Sequence, residues 1–136
     1  MLAKTIHTKK IDESLLAAFA ARIQGELIGP GDEVYDEARS VWNGMIDRHP
    51  AFIVRCTSTT DVVAAVNFAR KHNLRVAVRG GGHNVAGLAV ADDGLVIDLS
   101  SMNAVNVDQK ARVVKAGGGA TIGDVDRASQ AYGLVI

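Results

Sequence analysis

The chain has 136 residues, of which 48% are hydrophobic and 22% are charged, with 15 basic and 15 acidic side chains. This length and composition fit one globular domain with its own hydrophobic core. A formal net charge of zero and an aromatic content of 4% argue against nucleic acid and against an anionic membrane as partners.

The sequence contains a single cysteine, Cys56, so no internal disulfide can form. The N-terminal stretch MLAKTIHTKK lacks the apolar segment of an export signal, and no apolar run is long enough to span a bilayer. We therefore expect a cytoplasmic protein in which Cys56 is a small buried apolar residue.

The first predicted element is a helix over residues 12–24, with Asp12 as its N-cap and Gly25 just beyond its C-terminal end. Its apolar residues recur at helical spacing: Leu15, Leu16, Phe19 and Ile23. The segment 25–50 that follows is rich in glycine and turn-forming residues, which predicts loops and short elements.

A parallel strand–helix–strand unit is predicted next. Residues 51–56 (AFIVRC) predict a strand, and Ser58 with Asp61 resembles a capping box for a helix that ends near residue 72. The apolar face of this helix is predicted to contain Val62, Val63, Val66 and Ala69. Residues 74–80 predict a second strand, which a helical crossover makes parallel to the first.

A second group of strands is predicted downstream. Residues 94–100 predict a third strand, and AVNVD and RVVKAGGG predict a hairpin around QKA. Thr121 and Asp124 repeat the capping pattern of a last helix, which ends at Gly133 and carries an apolar stripe of Ile122, Val125, Ala128 and Tyr132. The predicted fold class is α+β, with a small parallel βαβ subdomain and a second, mixed or antiparallel subdomain.

Three glycines, Gly80 to Gly82, follow the second strand of the parallel unit. Glycine reaches φ values that other residues avoid, so successive N–H groups can point together and bind anionic oxygens such as those of phosphate. Neither a Walker loop nor a G-x-G-x-x-G fingerprint is present. The alternative is a plain turn, and for the second triplet, Gly117 to Gly119, the turn is favoured.

His83 comes directly after the first triplet and supplies an imidazole nitrogen that is nucleophilic near neutral pH. Its alternative role is that of a structural or surface histidine. Arg79 is either a solvated residue at a strand end or a group near bound phosphates. Among the other side chains, Asp98 is expected to be buried and hydrogen-bonded, and Trp42 to be a packing anchor. No cluster has metal-ligand spacing.

The sequence RGGGHNVAG, followed by DDGLVIDLSSMNAVNVD, resembles the FAD-binding domain of the berberine bridge enzyme-like oxidases, in the vanillyl-alcohol oxidase / p-cresol methylhydroxylase (PCMH) superfamily. The stretches YDEARSVWN, PAFIVRCTSTTDVVAAVNFARKHNLRVAVRGGGH and AGGGATIGDVDRASQAYGL are similar to this family as well. The resemblance implies that residues 28–136 are the N-terminal, incomplete part of a PCMH-type FAD-binding domain. Residues 1–27 then form a leader and an N-terminal helix.

The resemblance also implies a cofactor site. The first glycine loop would surround the FAD pyrophosphate, and His83 would be joined covalently to the 8α-methyl of the isoalloxazine. The implied FAD contacts are Arg79, Gly80, Gly81, Gly82, His83, Asn84, Leu88, Ala89, Ala116 and Gly117. No cysteine follows His83, so the second flavin bond of some relatives has no counterpart here.

The implied function is oxidation of a small organic alcohol or amine by hydride transfer to FAD, with dioxygen as the electron acceptor. One alternative is a flavin- or nucleotide-binding module that is inactive without a C-terminal half. Another is a relative that holds FAD noncovalently and acts as a reductase. The chain stops within the strand-like run at AYGLVI, so we expect a longer protein and, in this portion, exposed apolar surface that favours homo-oligomers.

Overall fold

The computed structural model describes residues 11–135, and the stretch in which we predicted no export signal lies outside this range. The described residues form four helices and six strands. In chain order these are α1 Glu13–Ala20, β1 Glu26–Ile28, α2 Tyr35–Arg39, β2 Phe52–Arg55, α3 Thr59–His72, β3 Val76–Arg79, β4 Leu95–Asp98, β5 Val105–Asp108, β6 Val113–Ala116 and α4 Ile122–Gln130.

Four of the strands form one sheet in the order β1-β2-β4-β3. Strands β2 and β3 both run parallel to β4, and β1 is antiparallel to β2. The predicted parallel direction of the βαβ unit is therefore confirmed, but β4 lies between its two strands. Every residue of β4 is buried, as expected for a central parallel strand covered on both faces.

Side chains from the two faces of the sheet form two hydrophobic clusters, as the alternation of a strand requires. One cluster contains Ile28, Tyr35, Ala38, Ile53, Ala77, Val90, Ala91 and Val96. The other contains Phe19, Val54, Cys56, Ala65, Ala69, Leu95 and Ile97. Cys56 is fully buried, as predicted, and burial raises the pKa of its thiol to about 11, so the thiol is neutral at physiological pH.

Helix α3 packs on the sheet with a face that matches the prediction in part, since Ala69 is buried and Val62 packs against the cluster that contains Cys56. Val63 and Val66 are 54% and 47% exposed, whereas Asp61, Ala65 and Ala69 are buried at intervals of one helical turn. The small alanines let the helix approach the sheet closely. The prediction was therefore wrong for Val63 and Val66 only, because Ala65 and Ala69 fill the contact with the sheet in their place.

Asp61 is buried because it bridges α3 to the turn before β1. Ser58 accepts a hydrogen bond from the Asp61 N–H, so that half of the predicted capping box is present. The Asp61 carboxylate instead accepts N–H groups from Gln24 at 2.8 Å and Thr57 at 3.0 Å. Burial alone would raise the pKa of this carboxyl, but these donors hold it below its ordinary value.

Helix α1 is shorter than predicted, because it ends at Ala20 with Ala21 as a right-handed C-cap. Gly25 serves another purpose: a Cβ atom there would lie 2.0 Å from the Arg55 carbonyl oxygen, so only glycine lets β1 start beside β2. The predicted division between residues 27 and 28 falls within β1. That division stays a prediction.

The second subdomain is the β5–β6 hairpin with α4 packed against it. Both hydrogen bonds of the predicted Thr121–Asp124 capping box are present, and Gly133 has a φ of +66° after the last turn. The predicted apolar stripe is only partly turned inward, since Ile122 is 71% and Tyr132 is 47% exposed.

Replacing Tyr35 with Phe is expected to lower the free energy of unfolding by about 1 kcal/mol. The buried Tyr35 hydroxyl donates a 2.7 Å hydrogen bond to the Pro50 carbonyl oxygen. In the variant this carbonyl oxygen loses its donor. Urea unfolding measures the change. Tyr132→Phe, at an exposed site, is the control and is expected to be neutral; equal effects of the two variants would refute the role of this bond.

Candidate cofactor site

The first glycine triplet leaves the sheet at the carboxyl end of β3. Gly82 adopts a φ of +69°, in the left-handed region that favours glycine. Its carbonyl oxygen accepts the Trp42 N–H at 3.1 Å. A Cβ at Gly81 would lie 3.0 Å from Cδ2 of His83, so a side chain there would crowd the imidazole.

The amides of this loop are available to a ligand. The N–H groups of Gly81, Gly82 and His83 donate to no backbone acceptor within residues 11–135. Gly81 and His83 are also exposed, whereas Gly82 between them is buried. A run of unpaired N–H groups beside bare backbone suits the anionic oxygens of a pyrophosphate, so these residues fit a dinucleotide cofactor.

The second glycine triplet has a different use. The N–H groups of Gly117 and Gly119 donate to the carbonyls of Ala104 and Met102 at 2.9 and 3.1 Å. A Cβ at Gly119 would lie 1.9 Å from the Leu99 carbonyl oxygen. This triplet therefore allows the hairpin subdomain to approach the end of β4, in agreement with the favoured turn interpretation.

The two triplets contact each other. A Cβ at Gly80 would lie 2.4 Å from the carbonyl oxygen of Gly118. Ala116 is exposed at the end of β6, and Gly117 follows it. The fold thus brings the predicted contacts from the second subdomain beside the first glycine loop. Whether Ala116 and Gly117 contact FAD stays a prediction.

Arg79 does not have the solvated position that was one of its two expected environments. Its side chain is 12% exposed, and its guanidinium donates to the Asp98 carboxylate at 2.5 Å. The same group donates to the carbonyl oxygens of Ala38 and of Ser40, the latter at 3.1 Å. These bonds fasten the start of the glycine loop to β4 and to the end of α2. The FAD contact predicted for Arg79 stays a prediction.

Asp98 is fully buried and hydrogen-bonded, as predicted. Burial by itself would raise the pKa of its carboxyl. The hydrogen bond from Arg79 and the 2.9 Å hydrogen bond from the Ser100 N–H outweigh burial, so the pKa lies below the ordinary value of 3.8. Asp98 is therefore ionised at neutral pH and anchors the positively charged Arg79.

His83 is exposed at the surface of the loop, next to Trp42. The two ring centroids are 5.9 Å apart, with 25° between the ring planes. Trp42 is 70% exposed, so its prediction as a packing anchor is wrong. The hydrogen bond from the Trp42 N–H to the Gly82 carbonyl joins the two segments and places the indole beside the histidine.

The loop after His83 is shaped by its own polar groups. The Asn84 side-chain oxygen accepts the Leu88 N–H at 3.0 Å, which engages part of the amide predicted to contact FAD. Arg48 donates to the carbonyls of Gly87 and Val90, at 2.9 Å each. Leu88 is exposed, as a ligand contact requires, whereas the neighbouring Ala89 is buried.

The segment between α2 and β2 supplies residues that the motif analysis did not assign to the site, chiefly Trp42, Asn43 and Arg48. The Asn43 side-chain amide donates to the Val85 carbonyl at 2.9 Å. The only sequence signal for this segment was the similarity of YDEARSVWN to the FAD-binding family. No periodicity marks it, because its contacts are made by single residues in a loop.

Within residues 11–135, no three His, Cys, Asp or Glu side chains are grouped so that they could hold a metal ion. None of the helices in this range has the length and hydropathy that crossing a membrane requires.

Unpaired loop amides, a neighbouring imidazole and two abutting subdomains define the class of a dinucleotide-binding α+β domain. Residues 50–136 match the family model described as an FAD binding domain, and the chain belongs to this family. It is 38% identical over 112 residues to (R)-6-hydroxynicotine oxidase of Paenarthrobacter nicotinovorans, covering 82% of this chain and 24% of that protein.

Solved structures agree with this family assignment. The 6-hydroxy-D-nicotine oxidase of Arthrobacter nicotinovorans superposes with a TM-score of 0.79 at 38% identity, over 82% of this chain and 24% of that one. The grass pollen allergen Phl p 4, described as having glucose dehydrogenase activity, gives 0.77 at 26% identity over 86% and 26%. BBE-like 1 of Physcomitrella patens gives 0.66 at 26% identity over 73% and 22%.

These matches confirm the predicted PCMH-type fold and the likeness to berberine bridge enzyme-like proteins. The chain spans about a quarter of the length of each of these relatives. The activity of a whole relative can therefore only be proposed for this chain.

Proposed function

We propose that this chain is the FAD-binding portion of an oxygen-dependent FAD-linked oxidoreductase that oxidises a small organic alcohol or amine by hydride transfer to the flavin. His83 is the covalent attachment point, and the ten predicted contacts from Arg79 to Gly117 line the cofactor. The relatives that support this proposal include a nicotine oxidase and a protein with glucose dehydrogenase activity. A cytoplasmic location is part of the same proposal.

One observation carries the proposal: the unpaired amides of two exposed residues, Gly81 and His83, adjoin the exposed His83 imidazole. The amides suit the pyrophosphate, which fixes one end of the cofactor near the loop. His83 is not needed to shape the loop, because Asn43, Asn84 and Arg48 do that. Its ring is therefore free to react.

Bound FAD supplies a two-electron acceptor and an 8α-methyl carbon that a nucleophile can attack. His83 would hold the flavin at that carbon through an imidazole nitrogen, which is nucleophilic near neutral pH. Forming that bond would remove one imidazole N–H and one methyl C–H, and dioxygen would take up the two protons and two electrons as hydrogen peroxide.

The test uses the protein expressed at its natural length with FAD and then precipitated in acid. The wild type is expected to keep its yellow colour in the pellet. His83→Ala is expected to release flavin to the supernatant, whereas the control His49→Ala, at another exposed histidine, keeps it in the pellet. Flavin that stays in the His83→Ala pellet would refute the covalent link, and failure to take up any FAD would refute the whole proposal.

The second candidate is a flavin-binding module without catalysis of its own, which the match of residues 50–136 to an FAD binding domain supports as well. The two candidates differ in the fate of the flavin colour when small alcohols and amines are added without air. Bleaching of the flavin, followed by hydrogen peroxide when air is admitted, supports the oxidase. Bound flavin that no such compound bleaches supports the module.

A further inference from the structure

An exposed indole stands beside the imidazole to which the proposed function assigns the flavin bond. Trp42 is the only tryptophan of the chain, and it is 70% exposed. Its ring lies 5.9 Å from the ring of His83, centroid to centroid, with 25° between the planes. Offset, near-parallel rings at this distance attract each other. Since the indole contributes little to the core, its contact with His83 needs another explanation.

Two hydrogen bonds hold the segments of this contact together, one on each side of His83. The N–H of Trp42 donates to the Gly82 carbonyl at 3.1 Å, directly before His83. The Asn43 side chain donates to the Val85 carbonyl at 2.9 Å, two residues after His83. The two segments that carry the rings are therefore joined on either side of the pair. The stacking is a built feature of the loop, and does not depend on the side chains alone.

We infer that Trp42 is a positioning residue for His83, which holds the imidazole in one orientation for bond formation with FAD. The inference rests on the proposed function of His83. Stacking covers a face of the imidazole, while the nitrogen lone pair lies in the plane of the ring. The indole thus restrains the ring and leaves the nucleophilic nitrogen accessible. Without it, an imidazole on an exposed loop would sample several rotamers.

The contact itself is tested on the FAD-free protein at its natural length by proton NMR at about pH 8, where an ordinary imidazole is neutral. We expect the Cδ2 proton of His83 to be displaced by the indole ring current from the position of the exposed His49. Trp42→Leu removes this displacement, and Trp42→Phe keeps part of it. Met45→Ala, at an exposed neighbouring site, leaves it unchanged. An identical His83 resonance in the wild type and in Trp42→Leu would overturn the inference.

The positioning role is tested by the rate at which acid-stable flavin forms after FAD is added to the protein at its natural length. Trp42→Leu is expected to slow attachment about three- to tenfold, the range that corresponds to an aromatic pair. Trp42→Phe restores most of the rate, because it supplies a stacking ring. Leu and Phe are both apolar, so urea unfolding is expected to show similar stability for the two variants.

The outcomes separate the inference from the proposed function. Equal attachment rates for the wild type and for Trp42→Leu, or for Trp42→Leu and Trp42→Phe, would overturn the positioning role and leave the His83 bond intact. A wild-type protein without acid-stable flavin would overturn the proposed bond, and the inference with it. The wild-type control alone reveals that second case.

Discussion

Replacing Asp98 with Asn is expected to lower the free energy of unfolding by about 3 kcal/mol, because removal of one partner from a buried ion pair leaves the other uncompensated. Asp98 is fully buried and accepts a 2.5 Å hydrogen bond from Arg79, whose side chain is also largely buried. Arg55 lies 3.7 Å from the same carboxylate oxygen. The asparagine keeps the shape of the site and removes the charge that both arginines face.

Urea unfolding at neutral pH measures this loss, with Asp93→Asn as the matched control. Asp93 is exposed in the turn before β4 and has a φ of +54°, which asparagine tolerates. The control makes the same charge change without breaking a buried pair, and we expect it to lie within about 0.5 kcal/mol of the wild type. A loss at Asp98 no larger than at Asp93 would contradict the assigned role.

The effect of Asp98→Asn depends on pH in a defined direction. Because the pKa of Asp98 is lowered in the folded state, its contribution is fully present above the ordinary value of 3.8 and is lost as the pH falls through the folded-state pKa. The stability difference between the wild type and Asp98→Asn should therefore be constant near neutrality and shrink in acid. A difference that grows on acidification would contradict this linkage.

The main elements of the fold follow from the sequence because local signals mark them. Strands β2, β3 and β4, the hairpin and the helices α3 and α4 all lie within the predicted ranges. Strand β1 and helix α2 lie in the segment predicted to hold loops and short elements, but their types were not predicted, since elements of three and five residues are too short for apolar periodicity to show. The place of β4 between β2 and β3 depends on long-range pairing, which no local pattern encodes.

The candidate site was predicted in part. The first glycine triplet and His83 stand out in the sequence, and the structure places them together with an exposed imidazole. The environments of Arg79 and Trp42 could not be predicted, because each depends on a residue far away in the chain. Arg79 faces Asp98, and Trp42 faces His83, 41 residues later. The sequence next to an arginine at a strand end, or next to a tryptophan in a loop, does not indicate such distant partners.

The two glycine triplets illustrate the same limit. As sequence they are identical, yet the amides of Gly81 and Gly82 are unpaired while those of Gly117 and Gly119 donate to carbonyls of the chain. The difference arises from the backbone that lies nearby, which only the fold determines. The first triplet is consequently suited to a ligand, and the second to contact between the subdomains. Substitutions in the second triplet should therefore act on folding.

Replacing Gly119 with Ala is expected to lower the free energy of unfolding by about 3 kcal/mol, at the upper end of the cost of overpacking. The added Cβ would lie 1.9 Å from the Leu99 carbonyl oxygen and 2.8 Å from Cα of Ser100. Both are backbone atoms just beyond β4, so no side chain can move aside to make room. Relief requires the hairpin subdomain to shift away from the sheet, which weakens the contact of Gly118 with Gly80.

Gly123→Ala is the matched control for this prediction. A Cβ at Gly123 meets nothing closer than 3.8 Å, and the residue lies in the first turn of α4. Alanine favours the helix there by up to about 1 kcal/mol, so this variant should be neutral or more stable. Urea unfolding of both variants decides the matter. Unfolding of Gly119→Ala and Gly123→Ala at the same urea concentration would contradict this prediction. It would mean that the subdomains do not pack closely at Gly119, and that this packing does not hold Gly117 beside the loop of His83.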